Sequence, residues 1–122
     1  MRIEDFVATL RAECMDALVA YYITLFSETP SDQHSDDDMH RLGRFWNSAD
    51  PETRAMIGGF MRLSSQNTLA SVLAVLDNTS SPFQEAFHLV STSSSGVETE
   101  LSQDLLDEFW AQEEVDGRVN RR

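Results

Sequence analysis

The side chains best suited to bind a metal ion lie between positions 32 and 40. Asp36 and His40 are four residues apart, so on a helix they would share a face and could hold one ion. The segment lacks both the Gly and the twelfth-position Glu that an EF-hand requires. Ser35 followed by three Asp residues instead predicts an N-cap and the acidic first turn of a helix. We therefore expect no metal here; His34, Asp36 and His40 are the weak candidates.

The sequence contains no recognisable constellation for nucleophilic or acid–base catalysis. Its single cysteine, Cys14, lies between Leu10 and Leu18 at helical spacing, which predicts a small buried side chain rather than a reactive thiolate. The serines form no nucleophile-elbow pattern. A single cysteine also excludes an intrachain disulfide. We expect neither an enzyme nor a cofactor.

Charge is distributed unevenly along the chain. The 122 residues include nine Arg, no Lys and 21 acidic residues, which gives a formal net charge of −12. This charge argues against direct binding to nucleic acid or to anionic membranes, because both attract basic surfaces. No Arg lies between Arg62 and Arg118, a stretch with ten acidic residues: Asp77, Glu85, Glu98, Glu100, Asp104, Asp107, Glu108, Glu113, Glu114 and Asp116. Either the central Arg41, Arg44, Arg54 and Arg62 fold across these acids, or the acids form an exposed negative face.

Two Phe-Trp pairs are the best candidate anchors for a protein partner. Phe45-Trp46 and Phe109-Trp110 each close a predicted helix that has acidic residues upstream. Neighbouring residues diverge on a helix, so one ring of each pair is expected near the rim of the core. Trp is enriched at binding hot spots, although both Trp residues could simply complete a small core. The predicted partner-binding residues are Trp46, Glu98, Glu100, Asp104, Asp107, Glu108, Trp110, Glu113 and Glu114.

Helical periodicity positions most of these residues. Apolar side chains recur at three- and four-residue steps over residues 3–26, which predicts the first helix. A short second helix is expected from an N-cap at Ser35 to about Asn47. A third begins with Asp50 as N-cap and Pro51 in the first turn.

The apolar pattern changes direction within residues 51–77. The apolar side chains of the two halves point to opposite sides of a straight helix, and the polar run 64–67 lies at the changeover. Ser and Asn favour caps and turns over helix interiors. The sequence therefore predicts a break into helices 51–64 and 66–77, with a single helix buried all round as the alternative.

The last third of the chain predicts a hairpin and a helix. Period-2 alternation on both sides of a Ser/Gly loop predicts a β-hairpin at about 86–101. Ser102 is the predicted N-cap of a final helix that reaches about Glu114. The expected fold is mainly α, a compact bundle of about four to five helices with this hairpin. Residues 1–117 form one domain, and residues 118–122 form a frayed basic tail.

These features together favour binding over catalysis. With no secretory signal and no apolar run long enough to span a bilayer, we expect a cytoplasmic protein, and the absence of Lys suggests a GC-rich bacterial source. The expected function is that of an inhibitor, immunity or antitoxin-type protein that neutralises a basic partner such as a toxin. The alternatives are a homodimeric structural or regulatory subunit, a nucleic-acid mimic directed against a nuclease or defence complex, and a small metal-dependent enzyme.

Overall fold

The computed structural model describes residues 1–30, 37–78 and 86–119, which are mainly α-helical, as predicted. The elements, in chain order, are α1 (Ile3–Arg11), a π-helical segment (Ala12–Ala17), α2 (Leu18–Ser27), α3 (Asp38–Ser48), α4 (Pro51–Leu76), β1 (Val90–Thr92), β2 (Glu98–Glu100) and α5 (Leu105–Val115). Because α1, the π segment and α2 follow one another without a gap, we call them together the first rod. None of the described helices combines the length and apolarity that crossing a membrane requires.

The predicted break at 64–67 is wrong, because α4 is one helix of 26 residues. The Ser65 hydroxyl donates to a carbonyl oxygen one turn earlier, at 3.0 Å, so this polar side chain finds its hydrogen-bond acceptor within the helix. The alternative is confirmed in that the segment forms a single helix, but this helix is not buried all round, since Met56 and Phe60 are 71% and 70% exposed. The first half of α4 lies beside α2 and α3 and the second half beside α5. Gly58, the buried residue of the first half, shares a face with the buried Leu69 of the second half, whereas the apolar side chains of the first half that point the other way stay at the surface.

Polar contacts attach α3 to the end of α2. Gly43 lies so close to Thr29 that a β-carbon at this position would overlap the Thr29 side chain. Asn47 Nδ2 donates to the carbonyl oxygens of Phe26 and Thr29 at 3.0 and 2.9 Å. These bonds tie the side chain of α3 to carbonyl groups at and just beyond the end of α2, where the helix leaves acceptors available.

The predicted β-hairpin is confirmed. β1 and β2 pair antiparallel, with Val90 opposite Glu100 and Thr92 opposite Glu98. A two-stranded hairpin is marginal by itself. This one continues directly into Leu101, which is 3% exposed and belongs to the hydrophobic core. The core therefore holds the hairpin in place.

The hydrophobic core lies between the first rod, the second half of α4 and α5. Its buried members are Val7, Met15, Leu69, Ala70, Leu73, Leu101, Leu105 and Phe109. Along the first rod, the core residues Val7 and Met15 and the buried Arg11 between them are spaced four residues apart, so they lie on one side of the rod. α5 thus covers one side of the pair formed by the first rod and α4.

The N-terminus of α5 is capped by Asp77 at the end of α4, so the prediction of Ser102 as its cap is wrong. The Asp77 carboxylate accepts backbone N–H bonds from Gln103 at 2.7 Å, Leu105 at 3.2 Å and Leu106 at 2.7 Å. Asp77 is 6% exposed, and these donors compensate for the burial of its charge. The carboxylate also ties α5 to α4.

Replacement of Asp77 by alanine tests this cap. Asp77→Ala leaves three N–H groups without their acceptor, so we expect it to lower the free energy of unfolding by about 2–3 kcal/mol in urea denaturation. Asp104→Ala is the matched control, because Asp104 occupies the N-cap position without a side-chain cap bond. The control should cost less than about 0.5 kcal/mol. Equal losses in the two variants would contradict the assignment.

Candidate functional site

The predicted metal candidates are only partly described. His34 and Asp36 lie outside the described residues, as does the predicted N-cap Ser35. The N-cap of α3 is Asp37, whose carboxylate accepts from the His40 backbone N–H at 2.9 Å and lies 2.6 Å from His40 Nδ1. Within the described parts of the chain, no group of three or more potential metal-ligating side chains forms. The described acids here act as a helix cap.

Cys14 is exposed, so the prediction of a buried thiol is wrong. The sequence correctly placed Cys14 on the same face as Leu10 and Leu18, and all three line one groove. That face is open, and Leu18 is 41% exposed. Helical spacing identifies an apolar face but not what covers it.

Glu113 is the centre of a buried polar cluster. Its side chain has no exposed surface; Oε1 accepts from Arg11 Nε at 2.9 Å and Oε2 accepts from Gln66 Nε2 at 2.8 Å. Arg118 Nη1 lies 3.6 Å from the same carboxylate. These contacts join the first rod, α4 and α5. Glu113 is therefore inside the protein and cannot contact a partner, contrary to its place in the predicted binding set.

The neighbouring charges are paired as well. Burial lowers the pKa of Arg11, but hydrogen bonds to Asp116 and Glu113 outweigh this effect and raise it overall. The bond from Arg11 Nη2 to Asp116 Oδ2, 2.5 Å long, together with the positive charge of Arg11, holds the pKa of Asp116 below its usual range. Arg118, which the sequence assigned to a frayed tail, contacts Asp16 at 2.8 Å. The cations beside the acidic C-terminal end of α5 thus include Arg11 and Arg118, neither of which belongs to the central Arg cluster.

The two Trp residues differ in accessibility. Trp46 is 7% exposed, its indole N–H donates to Ser27 Oγ at 3.2 Å, and the Arg54 guanidinium carbon lies 5.6 Å from its ring centre. Trp46 therefore stabilises the junction of α2, α3 and α4 and offers little surface to a partner. Trp110 is half-buried and packs edge-to-face on Phe109, with ring centres 5.0 Å apart. Its position at the rim of the core leaves part of the ring accessible.

Acidic residues converge at the end of the molecule that holds the N-termini of α1 and α5. Glu4, Asp5, Glu100 and Asp104 line an open hollow of about 620 Å³, which we call the acidic hollow. Arg2 is the one cationic side chain among the residues that line it, and its Nε lies 3.5 Å from a Glu4 carboxylate oxygen. The place of Glu4 and Asp5 in this group could not be predicted from the sequence, because about 95 residues separate them from Glu100.

The other predicted acids extend this surface or lie apart from it. Glu98 is exposed on β2, two residues from Glu100, so both point to the same side of the strand. Asp107 is exposed one turn after Asp104, and Glu114 is exposed two turns further along α5. Glu108 is half-buried and accepts from Gln112 Nε2 at 2.8 Å. The negative surface therefore runs from β2 along the outer side of α5.

A second open surface carries no charge. It is a groove of about 580 Å³ between the first rod and α4, which we call the apolar groove. Its lining consists of Phe6, Leu10, Cys14, Leu18, Val19, Tyr22, Phe60, Met61, Ser64, Ser65, Thr68, Leu69, Val72, Leu73 and Leu76. Thr68 and Gln66 are two residues apart on α4 and so point about 160° away from each other. Since Gln66 faces α5, the groove and α5 lie on opposite sides of α4.

Comparison of the chain with protein-family models, with curated proteins and with solved structures finds no match. The proposals below therefore rest on the two surfaces themselves. One is negative and lies at the α1–α5 end, and the other is uncharged and lies on the side away from α5.

Removal of the buried carboxylate tests the Glu113 cluster. Glu113→Leu leaves Arg11 Nε and Gln66 Nε2 without their buried acceptor, although Asp116 still pairs with Arg11 Nη2. We therefore expect a loss of about 3 kcal/mol in the free energy of unfolding. Glu114→Leu, at the exposed neighbouring position, should change it by less than about 0.5 kcal/mol. Adding Arg11→Met to Glu113→Leu should restore part of the loss, because it removes the buried guanidinium whose Nε has lost its acceptor. A double variant less stable than Glu113→Leu alone would argue against this explanation.

Acid titration tests the Arg11–Asp116 pair. Because the pKa of Asp116 is depressed in the folded state, its stabilising contribution is present above the ordinary Asp pKa of about 3.9 and is lost as pH falls through the folded value. The difference in unfolding free energy between wild type and Asp116→Asn should therefore shrink as pH falls below about 4. In an Arg11→Met background most of this pH dependence should disappear, and the charge of Arg118 should leave a small part of it. Persistence of the same pH dependence would assign it to another group.

Proposed function

We propose that this chain is a non-enzymatic protein-binding module that neutralises a basic partner through the acidic hollow. The observation that carries this proposal is the convergence of Glu4 and Asp5 with Glu100 and Asp104 around one open cavity. Three separate parts of the chain supply these four carboxylates. These four carboxylates face the Arg2 side chain and the Met1 ammonium in the lining, so the hollow has a negative balance.

Ion contacts at the acidic hollow are longer than the closest ones near the C-terminus of α5: Glu4 lies 3.5 Å from Arg2, and Glu100 lies 3.7 Å from His88. Near the C-terminus of α5, Arg11 and Arg118 pair with Glu113, Asp116 and Asp16. On the side of its N-terminus, the exposed acids Glu98, Glu100, Asp104 and Asp107 extend the negative surface. A surface of one sign accelerates association with a partner of the opposite sign and selects against other partners.

Trp110 supplies an anchor beside these charges. It follows Asp107 by three residues and precedes Glu114 by four, so all three side chains lie on neighbouring parts of one helix face. Trp is a frequent hot-spot residue because its large ring loses little conformational entropy when it becomes buried. A half-buried Trp flanked by carboxylates fits a partner with an apolar contact surrounded by Lys or Arg.

The partner class that fits best is a basic enzyme or toxin whose cationic site binds an anionic substrate. A negative module that covers such a site would block the substrate, which is the mode of action of an inhibitor, immunity or antitoxin-type protein. We place this activity in the bacterial cytoplasm, where a free thiol such as that of Cys14 stays reduced.

Charge reversal tests the role of the acidic end. We expect the double variant Asp104→Arg/Asp107→Arg to weaken partner binding at least about 100-fold, because two attractive contacts become repulsive. The double variant Glu28→Arg/Glu52→Arg makes the same change in net charge at exposed positions on other elements and is the matched control. Affinity capture from the host, followed by titration calorimetry on the captured basic protein, provides the measurement.

The salt dependence and fold of the variants complete the test. Wild-type affinity should fall steeply between ~0.1 M and ~1 M salt, since exposed charges are screened over a shorter length. Circular dichroism on both variants is needed, because acids near helix N-termini also stabilise those helices by about 0.3–1 kcal/mol each. If the reversed variant folds and captures the same protein with unchanged affinity, the proposed function is wrong.

A further inference from the structure

We propose that the apolar groove is the contact face between two copies of this chain. The groove lies between the first rod and α4, and no charged side chain contributes to its lining. Phe60 is 70% exposed, Val72 50% and Leu18 41%. Nothing in the described parts of the chain covers these side chains. Soluble monomers rarely expose a contiguous apolar surface of this kind, and larger ones mark contact sites.

The π segment gives the first rod a straight apolar edge along the groove. The edge consists of Phe6, Leu10, Cys14, Leu18 and Tyr22, at strict four-residue spacing. In a regular α-helix this spacing drifts around the axis by about 40° per step, because one turn takes 3.6 residues. A π-helical turn takes roughly one residue more, so within this segment the drift reverses. The five side chains therefore stay beside α4 along the length of the groove.

A second hollow continues the apolar surface beyond Phe60. It measures about 370 Å³ and is lined by Phe26, Leu42, Phe45, Trp46, Thr53, Met56, Ile57 and Phe60, again without a charged residue. Leu42, Phe45 and Met56 are 51%, 54% and 71% exposed. Phe60 lines both cavities, so the apolar groove and this hollow form one continuous surface.

The size of the surface matches what a stable pair of proteins requires. The groove runs along about 16 residues of each helix, or about 24 Å, and two adjacent helices are about 20 Å wide. Together with the adjoining face of α3, this comes to roughly 700 Å². Specific interfaces bury about 800 Å² per partner, so the whole surface is close to one side of a standard interface.

The uncharged lining of the apolar groove favours a second copy of this chain as its occupant. Each chain carries a net charge of −12, so two copies repel each other wherever their acidic surfaces meet. Contact through the uncharged lining avoids placing acidic side chains directly against each other. A basic partner, by contrast, would gain no ion pair inside the groove. The absence of charge therefore fits self-association better than binding of the basic partner expected at the acidic hollow.

The shape of the surface is compatible with twofold symmetry. The protruding Phe60 lies beside a depression that Leu10, Leu18 and Val72 help to line. In a symmetric dimer, Phe60 of each copy would enter the depression of the other, so one patch serves both subunits. The first rod and α4 of both copies would then form a four-helix arrangement. The acidic hollow takes no part in this contact.

The oligomeric state of the full chain tests the proposal. Sedimentation equilibrium should show a dimer that persists from ~0.1 M to ~1 M salt, because screening weakens repulsion between the copies and leaves apolar burial intact. Phe60→Glu and Val72→Glu should each raise the dimer dissociation constant at least about 100-fold, since each buries an unpaired carboxylate. Val115→Glu is the matched control, at an 86% exposed apolar position on α5, and should leave the dimer unchanged.

The unmodified protein offers a second measurement. Cys14 is the only cysteine and lies in the groove, so its alkylation rate should fall as protein concentration rises. Wild-type chain that stays monomeric over a wide concentration range would overturn the proposal. Folded Phe60→Glu protein that still forms the dimer would also overturn it. Asp104→Arg/Asp107→Arg should leave the dimer intact, so failure at one surface can be distinguished from failure at the other.

Discussion

A carboxylate without access to water must be paired, and Glu113 imposes this constraint on the whole molecule. Its oxygens are satisfied by Arg11 from the first rod and Gln66 from α4. A buried charge of this kind tolerates little rotation or sliding of the helices that supply its partners. Asp77 adds a second fixed point by accepting backbone N–H bonds at the start of α5. Together the two carboxylates determine how α5 lies on the first rod and α4.

The arrangement of α5 separates the two open surfaces. Since α5 lies on the Gln66 side of α4, the opposite side of the pair stays uncovered and forms the apolar groove. The start of α5 also brings Asp104 beside Glu4, Asp5 and Glu100. The molecule therefore presents charge at one end and apolar surface on one side. A protein that binds a basic partner and pairs with its own copy would need these two functions kept apart in this way.

Several features were predictable from local sequence because short-range physics determines them. The hydrophobic periodicity of residues 3–26 and the Asp50-Pro51 helix start predicted helices that the structure contains. Alternation around Gly96 predicted the hairpin, in which Gly96 has a positive φ of 85°. The break at 64–67 was wrong because it assumed that the apolar side chains of both halves are buried, whereas Met56 and Phe60 of the first half are 71% and 70% exposed. A sequence pattern alone cannot show whether an apolar face is covered. Ser102 was wrong as a cap because Asp77, distant in sequence, satisfies the same N–H groups.

By itself, the sequence determined the mainly helical class, the excess of acid beyond Arg62 and the apolar faces of the helices, since each follows from residue type and spacing. Helical spacing also predicted correctly that Cys14, Leu10 and Leu18 lie on one face of a helix. Only the tertiary structure decided which of these faces are covered and which acids are paired. In the structure, Trp46 and Glu113 lie in the interior, whereas Cys14 and Phe60 lie at the surface. Burial and ion pairing depend on residues far apart in the chain, and spacing along one helix carries no information about them.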